Sequence, residues 1–153
     1  MDWVNVPEEL AALLAGWPEP GRAEQAFPFL TVDGAGFPHV ALLSRAELDV
    51  SPDRSAVLAV VASTRTRANL ERDGRATLIA VGGTTAHYVK LRVTRRITGG
   101  GALGCRLAVA GHKADSLGIP LSPAGFTATA EIGRLERWQD SRRLLASLND
   151  TQR

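Results

Sequence analysis

Residues 55–81 read SAVLAVVASTRTRANLERDGRATLIAV, and this stretch decides the fold. SAVLAVVA (55–62) is a continuous apolar run of strand length, which predicts a strand buried on both faces. Ser63 or Thr64 then offers a helix N-cap, Leu70 an inward-facing apolar position and Gly74 a stop. RATLIAV (75–81) is a further strand. The middle of the stretch also raises a chemical question. Arg65 and Arg67 stand in the first helical turn, where a cation opposes the helix dipole. One reading is an ordinary capped surface helix with solvated arginines. The other is an anion site, in which free backbone N–H groups, the hydroxyls of Ser63, Thr64 and Thr66, and a bidentate guanidinium grip a phosphate.

Upstream, PFLTV (28–32), the turn DGAG (33–36) and FPHVALLS (37–44) predict a β-hairpin, and DVSPDRS (49–55) a loop. A first helix is predicted over about 6–15. Asn5 serves as its N-cap with Glu8 three residues on, Pro7 sits in the first turn, Leu10, Leu13 and Leu14 form its stripe, and Gly16 stops it. Downstream, AHYVKLRVTRR (86–96) alternates: His87, Val89, Leu91 and Val93 point one way, Tyr88, Lys90, Arg92 and Thr94 the other. A glycine-rich turn (99–101) leads to the strand RLAVAGHKAD (106–115), and FTATAEI (126–132) reads as a last strand. A final helix over about 138–148 has Trp138, Leu144, Leu145 and Leu148 on its apolar side, and NDTQR (149–153) reads as a frayed tail. Seven or so hairpin-linked strands with three helices do not alternate as a doubly wound sheet requires. The prediction is a single mainly β (α+β) domain over 1–153, a split or closed antiparallel barrel with peripheral helices.

Composition narrows the function classes. The formal net charge is only +2 and the basic residues are scattered, which argues against a nucleic-acid stripe. No apolar run approaches the roughly 20 residues of a membrane-spanning helix, and the N-terminal MDWVNVPEEL is not signal-like, so a soluble cytoplasmic protein is expected. Cys105 is the only cysteine, which excludes an internal disulfide. With His39, His87 and His112 dispersed, no metal-ligand spacing is present. GGGALG (99–104) matches GxGxxG formally, but the segment after it carries Gly111 and Asp115 comes too soon; a hairpin turn accounts for it better. His87 stands on an apolar strand face and needs a partner, either a ligand or a neighbouring core group.

The order PFLTVDGAGFPHVALLS, buried strand, STRTRANLERDGRATL and HYVKLRV resembles the pyridoxamine 5′-phosphate oxidase-like family, the FMN-binding split β-barrels, over about residues 27–130. The resemblance implies a homodimer with FMN in a cleft at the subunit interface and hydride transfer to or from a small organic substrate. It assigns His39, Val40, Ala41, Leu42 and Ser44 to the flavin ring. Ser63, Thr64, Arg65, Thr66 and Arg67 go to the phosphate, and His87 lies close to a position where family members carry a flavin-contacting glutamine. Thr66 stands where the family has a phosphate lysine, and the arginine motif that binds vitamin B6 substrates is not evident, so pyridoxamine phosphate oxidation is not the expected reaction. The same fold also accommodates a deazaflavin, or haem with His39, His87 or His112 as axial ligand, or a flavin-binding protein without turnover. No catalytic acid or base is identified.

Overall fold

A computed structural model describes residues 3–150. In chain order the elements are α1 (Glu8–Leu14), β1 (Ala23–Gln25), β2 (Phe27–Val32), β3 (Pro38–Leu43), β4 (Leu48–Val50), β5 (Ala56–Val61), α2 (Thr64–Asp73), β6 (Arg75–Gly82), β7 (Thr85–Gly99), β8 (Ala102–Ser116), β9 (Gly125–Thr127), α3 (Ala130–Leu135) and α4 (Trp138–Asp150). β1 and β9 pair with each other. The other strands form one antiparallel sheet of seven in the order β3-β2-β6-β7-β8-β5-β4, curled into a half-barrel.

Its inner face is filled by alternate residues: Phe27 and Phe29 of β2, Leu78 and Ala80 of β6, Val89 and Leu91 of β7, Cys105, Leu107 and Val109 of β8. β5 is buried along its whole length, as its unbroken apolar run predicts. Val57, Ala59 and Val61 face the main core, while Leu58 and Val60 meet Leu144, Leu145 and Leu148 of α4 on the other side. α1 closes one region of the barrel with Leu10 and Leu14, joined by Val6 just ahead of it.

Several boundaries differ from expectation. α1 begins at Glu8 with Pro7 as N-cap and no side-chain cap bond, because the backbone ahead of it is held extended: Val4 N–H donates to Val109 O (3.0 Å) and Val6 N–H to Arg54 O (2.7 Å). Asn5 lies between those anchors and caps nothing. The segment FTATAEI is strand only through Thr127. Thr129 then caps α3, its hydroxyl accepting from Ile132 N–H at 3.1 Å, so a local capping bond overrides the apparent alternation. β1 and β4 have three residues each, too short to register as periodic patterns. β8 starts four residues earlier than expected, directly after the turn at Gly100 and Gly101, both in the left-handed region (φ 58° and 78°). α4 runs through Asn149 and Asp150, which the sequence places in a frayed tail; residues 151–153 of that tail lie outside the described residues.

The α1 end is tied down by Arg45. Its guanidinium pairs with the buried Glu24 carboxylate at 2.8 Å and caps the helix by donating to Ala15 O at 3.0 Å. It passes so close to Gly16 (φ 106°) that a Cβ there would lie 2.5 Å from Arg45 Nη1. Arg45→Ala leaves the Glu24 charge without its partner. Chemical denaturation at pH 7 is expected to show a loss of about 2–3 kcal/mol, whereas a change within 0.5 kcal/mol of zero would show that Arg45 is only a surface group.

Candidate functional site

The last residue of β5 is Val61, and two residues later Ser63 starts α2 in extended conformation (φ −61°, ψ 126°). The rest of this helix is firmly held. Asn69 Nδ2 donates to the buried Thr31 hydroxyl of β2 (2.9 Å), Arg72 donates to the Val32 carbonyl and to Asn69 Oδ1, and Arg96 of β7 donates to Leu70 O (2.9 Å). Gly74 ends the helix in the left-handed region (φ 67°), where its N–H caps Leu70 O.

The first turn is left bare by contrast. Ser63 makes no side-chain cap bond and no acidic residue stands in the first turn. Ser63, Thr64 and Arg65 are exposed. Thr66 is fully buried and its hydroxyl has no partner among the described residues. Arg67 donates from Nη1 to Gly101 O (2.8 Å) in the β7–β8 turn, which fixes its stem. The position where the resembled family carries a lysine is therefore an interior one here. Arg65 is the exposed cation of the turn, and Arg67 is half-committed.

The other residues read from the sequence are placed as follows. Along β3, His39 and Ala41 pair with Thr31 and Phe29 and share their face, toward α2; Val40 and Leu42 point outward and are exposed. Ser44 is buried in the turn between β3 and β4. Its N–H and hydroxyl both donate to Glu47 Oε1 (3.1 and 3.0 Å), and its hydroxyl accepts from Ala46 N–H (3.1 Å). That turn adjoins the start of α2, because Val60 N–H donates to Glu47 O (2.8 Å) three residues before Ser63. His87 sits apart from this group. It is buried and stacks on His112 of β8, with His87 Nδ1 2.9 Å from His112 Nε2, so its partner is another histidine. Burial and the neighbouring His112 lower the His87 pKa below its ordinary 6.5, against an opposing effect of Glu9. Cys105 is a core residue whose thiol is pushed up to about 11 by burial, far from thiolate chemistry.

The sequence reading names His112 but not its contact with His87, and it does not name Glu47. His112 lies diagonally from His87, two residues from the directly opposite Ala114, a register that periodicity alone does not reveal. Glu47 stands three residues after Ser44, a spacing that signals a local turn bond. Burial pushes its carboxyl up to about 7.

No protein-family model and no curated protein matches the chain. Solved structures do. The flavin reductase of styrene monooxygenase from Pseudomonas putida S12 superposes with a TM-score of 0.56 at 12% identity, covering 78% of this chain and 92% of that one. This chain shares that protein's fold. An F420 reductase (TM-score 0.52, 11% identity, 71% and 98% covered) and the flavin reductase PheA2 (TM-score 0.51, 12% identity, 80% and 94% covered) share the same split-barrel arrangement. No helix among the described residues is long and apolar enough to cross a membrane.

Glu47 and His87 give opposite pH limbs. Glu47 binds its proton more tightly folded than unfolded, so its contribution to stability is present below about 4.5 and lost as pH rises through about 7. His87 binds its proton less tightly when folded, so its contribution is present above about 6.5 and lost as pH falls below it. Glu47→Gln keeps the acceptor for Ser44. Urea unfolding between pH 4 and 9 should show the loss between about 4.5 and 7 gone and stability at pH 8 raised by roughly 1–3 kcal/mol; an unchanged loss across that window would refute the assignment.

Proposed function

We propose that this protein binds FMN between two copies of the chain and works as a flavin-dependent oxidoreductase on a small organic substrate. The observation that carries the reading is the uncapped N-terminus of α2: free N–H groups, unused hydroxyls, no acid, and an exposed Arg65. An unsatisfied helix start with a cation beside it is a donor set suited to a phosphate. The orphaned Thr66 hydroxyl adds a buried polar atom in the same turn. These residues fit the phosphate end of FMN. The fold shared with flavin reductases supports a flavin-type cofactor.

The chain's own residues divide the work. Ser63, Thr64 and the α2 N–H groups donate hydrogen bonds to the anion, and Arg65 supplies the neutralising charge. Arg67, anchored on Gly101, contributes its remaining N–H groups. β3 offers its free backbone edge next to this turn, since it is an edge strand of the sheet. When bound, the flavin supplies the hydride chemistry, and the protein's part is to position it and exclude water. A deazaflavin is the second reading, favoured by the fold shared with an F420 reductase.

Two measurements test this. Arg65→Ala should weaken FMN by about 1.5–3 kcal/mol in a fluorescence titration, the worth of a charge-assisted bond. Equal affinity would remove Arg65 from the site, and a protein that binds F420 but ignores FMN would favour the second reading. Sedimentation at micromolar concentration should give a dimer; a monomer that holds FMN tightly would contradict the shared cleft.

A further inference from the structure

On the outer face of the sheet, away from the α2 N-terminus, lies a cavity of about 570 Å³. Three cations line it: Arg75 of β6 and Lys90 and Arg92 of β7. Arg75 and Arg92 are direct cross-strand partners, and Lys90 pairs with Thr77 two residues along from Arg75. Like charges directly opposite in a ladder repel and weaken the pairing. Among the described residues none of the three has a carboxylate within ion-pair distance. Asp73 lines the same cavity, but its Oδ1 accepts the Arg75 backbone N–H (3.1 Å). Three positive charges against one negative leave a net surplus of two.

The local backbone is shaped around this surplus. The β7–β8 ladder shifts register between Lys90 and Leu91, where Ala110 becomes an extra residue, and Ala110 lines the cavity. Gly111 lies opposite Lys90, and the lysine stem packs at ordinary contact distance over it. Leu30, Val32 and Pro38 supply apolar walls beside the cations. A phosphate monoester is close to doubly negative at neutral pH, which matches the surplus. A bare phosphate would leave the apolar walls unused.

The geometry points to a second anion site: the cavity binds a phosphate monoester carried on a small apolar body. Arg75, Lys90 and Arg92 hold the phosphate, and Leu30, Val32 and Pro38 contact the apolar part. This site is separate from the one at α2 and stands whether or not flavin occupies that helix end.

The probe is phenyl phosphate, with phenol and inorganic phosphate as controls, titrated calorimetrically into the full chain with and without saturating FMN. Phenyl phosphate should saturate one site per chain, at least tenfold more tightly than either control. Arg92→Gln and Lys90→Gln should each weaken it tenfold or more while leaving the ligand-free melting temperature equal or higher, since a repulsion is removed. Arg65→Ala should leave it within twofold. Phenol binding as tightly as phenyl phosphate, or an Arg92→Gln variant with unchanged affinity, overturns the assignment. Displacement of phenyl phosphate by FMN overturns it by making this the cofactor's own phosphate site. An affinity that falls as protein concentration rises overturns it by placing a second copy there. Loss of FMN binding in Arg65→Ala bears only on the flavin reading.

Discussion

Everything in this fold depends on one short connection. β3 and β4 are the two edges of a seven-stranded sheet, yet they follow each other in sequence with only Ser44–Glu47 between them. A flat sheet would set its edge strands about 29 Å apart at the usual strand spacing. The chain from Leu43 to Leu48 reaches at most about 18 Å. The sheet must therefore curl until its edges nearly meet, and the inner face becomes a closed core. The turn that makes this possible is stitched internally by Ser44 and Glu47, and externally by Val60 N–H on Glu47 O. A half-buried carboxyl, that of Glu47, is thus built into the closure of the barrel.

The same closure positions the candidate cofactor site. β5 is sandwiched between the inner core and α4, so its direction is fixed, and α2 must start where β5 ends, beside the Ser44–Glu47 turn. The helix is then fastened by its second half to β2 and β7 through Asn69, Arg72 and the Leu70 carbonyl. Stability is supplied by one end of α2, which leaves the other end free of structural duty. A first turn with no cap and no acid is unfavourable in isolation. It becomes favourable when an anion satisfies its N–H groups.

Much of this was legible in the sequence. The unbroken apolar run of β5, the stop at Gly74 and the alternation of β7 each correspond to one local physical rule. Hairpin order and the absence of alternating helices pointed to a split barrel. What was not legible depends on long-range partners. Asn5 has every local mark of a cap, but Val109 and Arg54 hold the backbone on either side of it extended. FTATAEI alternates like a strand, yet Thr129 has an amide within reach at Ile132. The alternation of β7 puts His87 on the buried face, but its contact with His112 follows from the β7–β8 register, which sets Val89 opposite His112 and Ala114 opposite His87 and which the sequence does not contain. The opposition of Arg75 and Arg92 also follows from register, which the sequence does not contain.

The central claim is that the bare N-terminus of α2 holds the phosphate of a flavin. A crystal structure of the full chain grown with FMN tests it most directly. The account predicts the phosphate within hydrogen-bond distance of Ser63 or Thr64 and of the Arg65 guanidinium. A phosphate found instead among Arg75, Lys90 and Arg92, with the α2 turn in contact only with solvent, would contradict it.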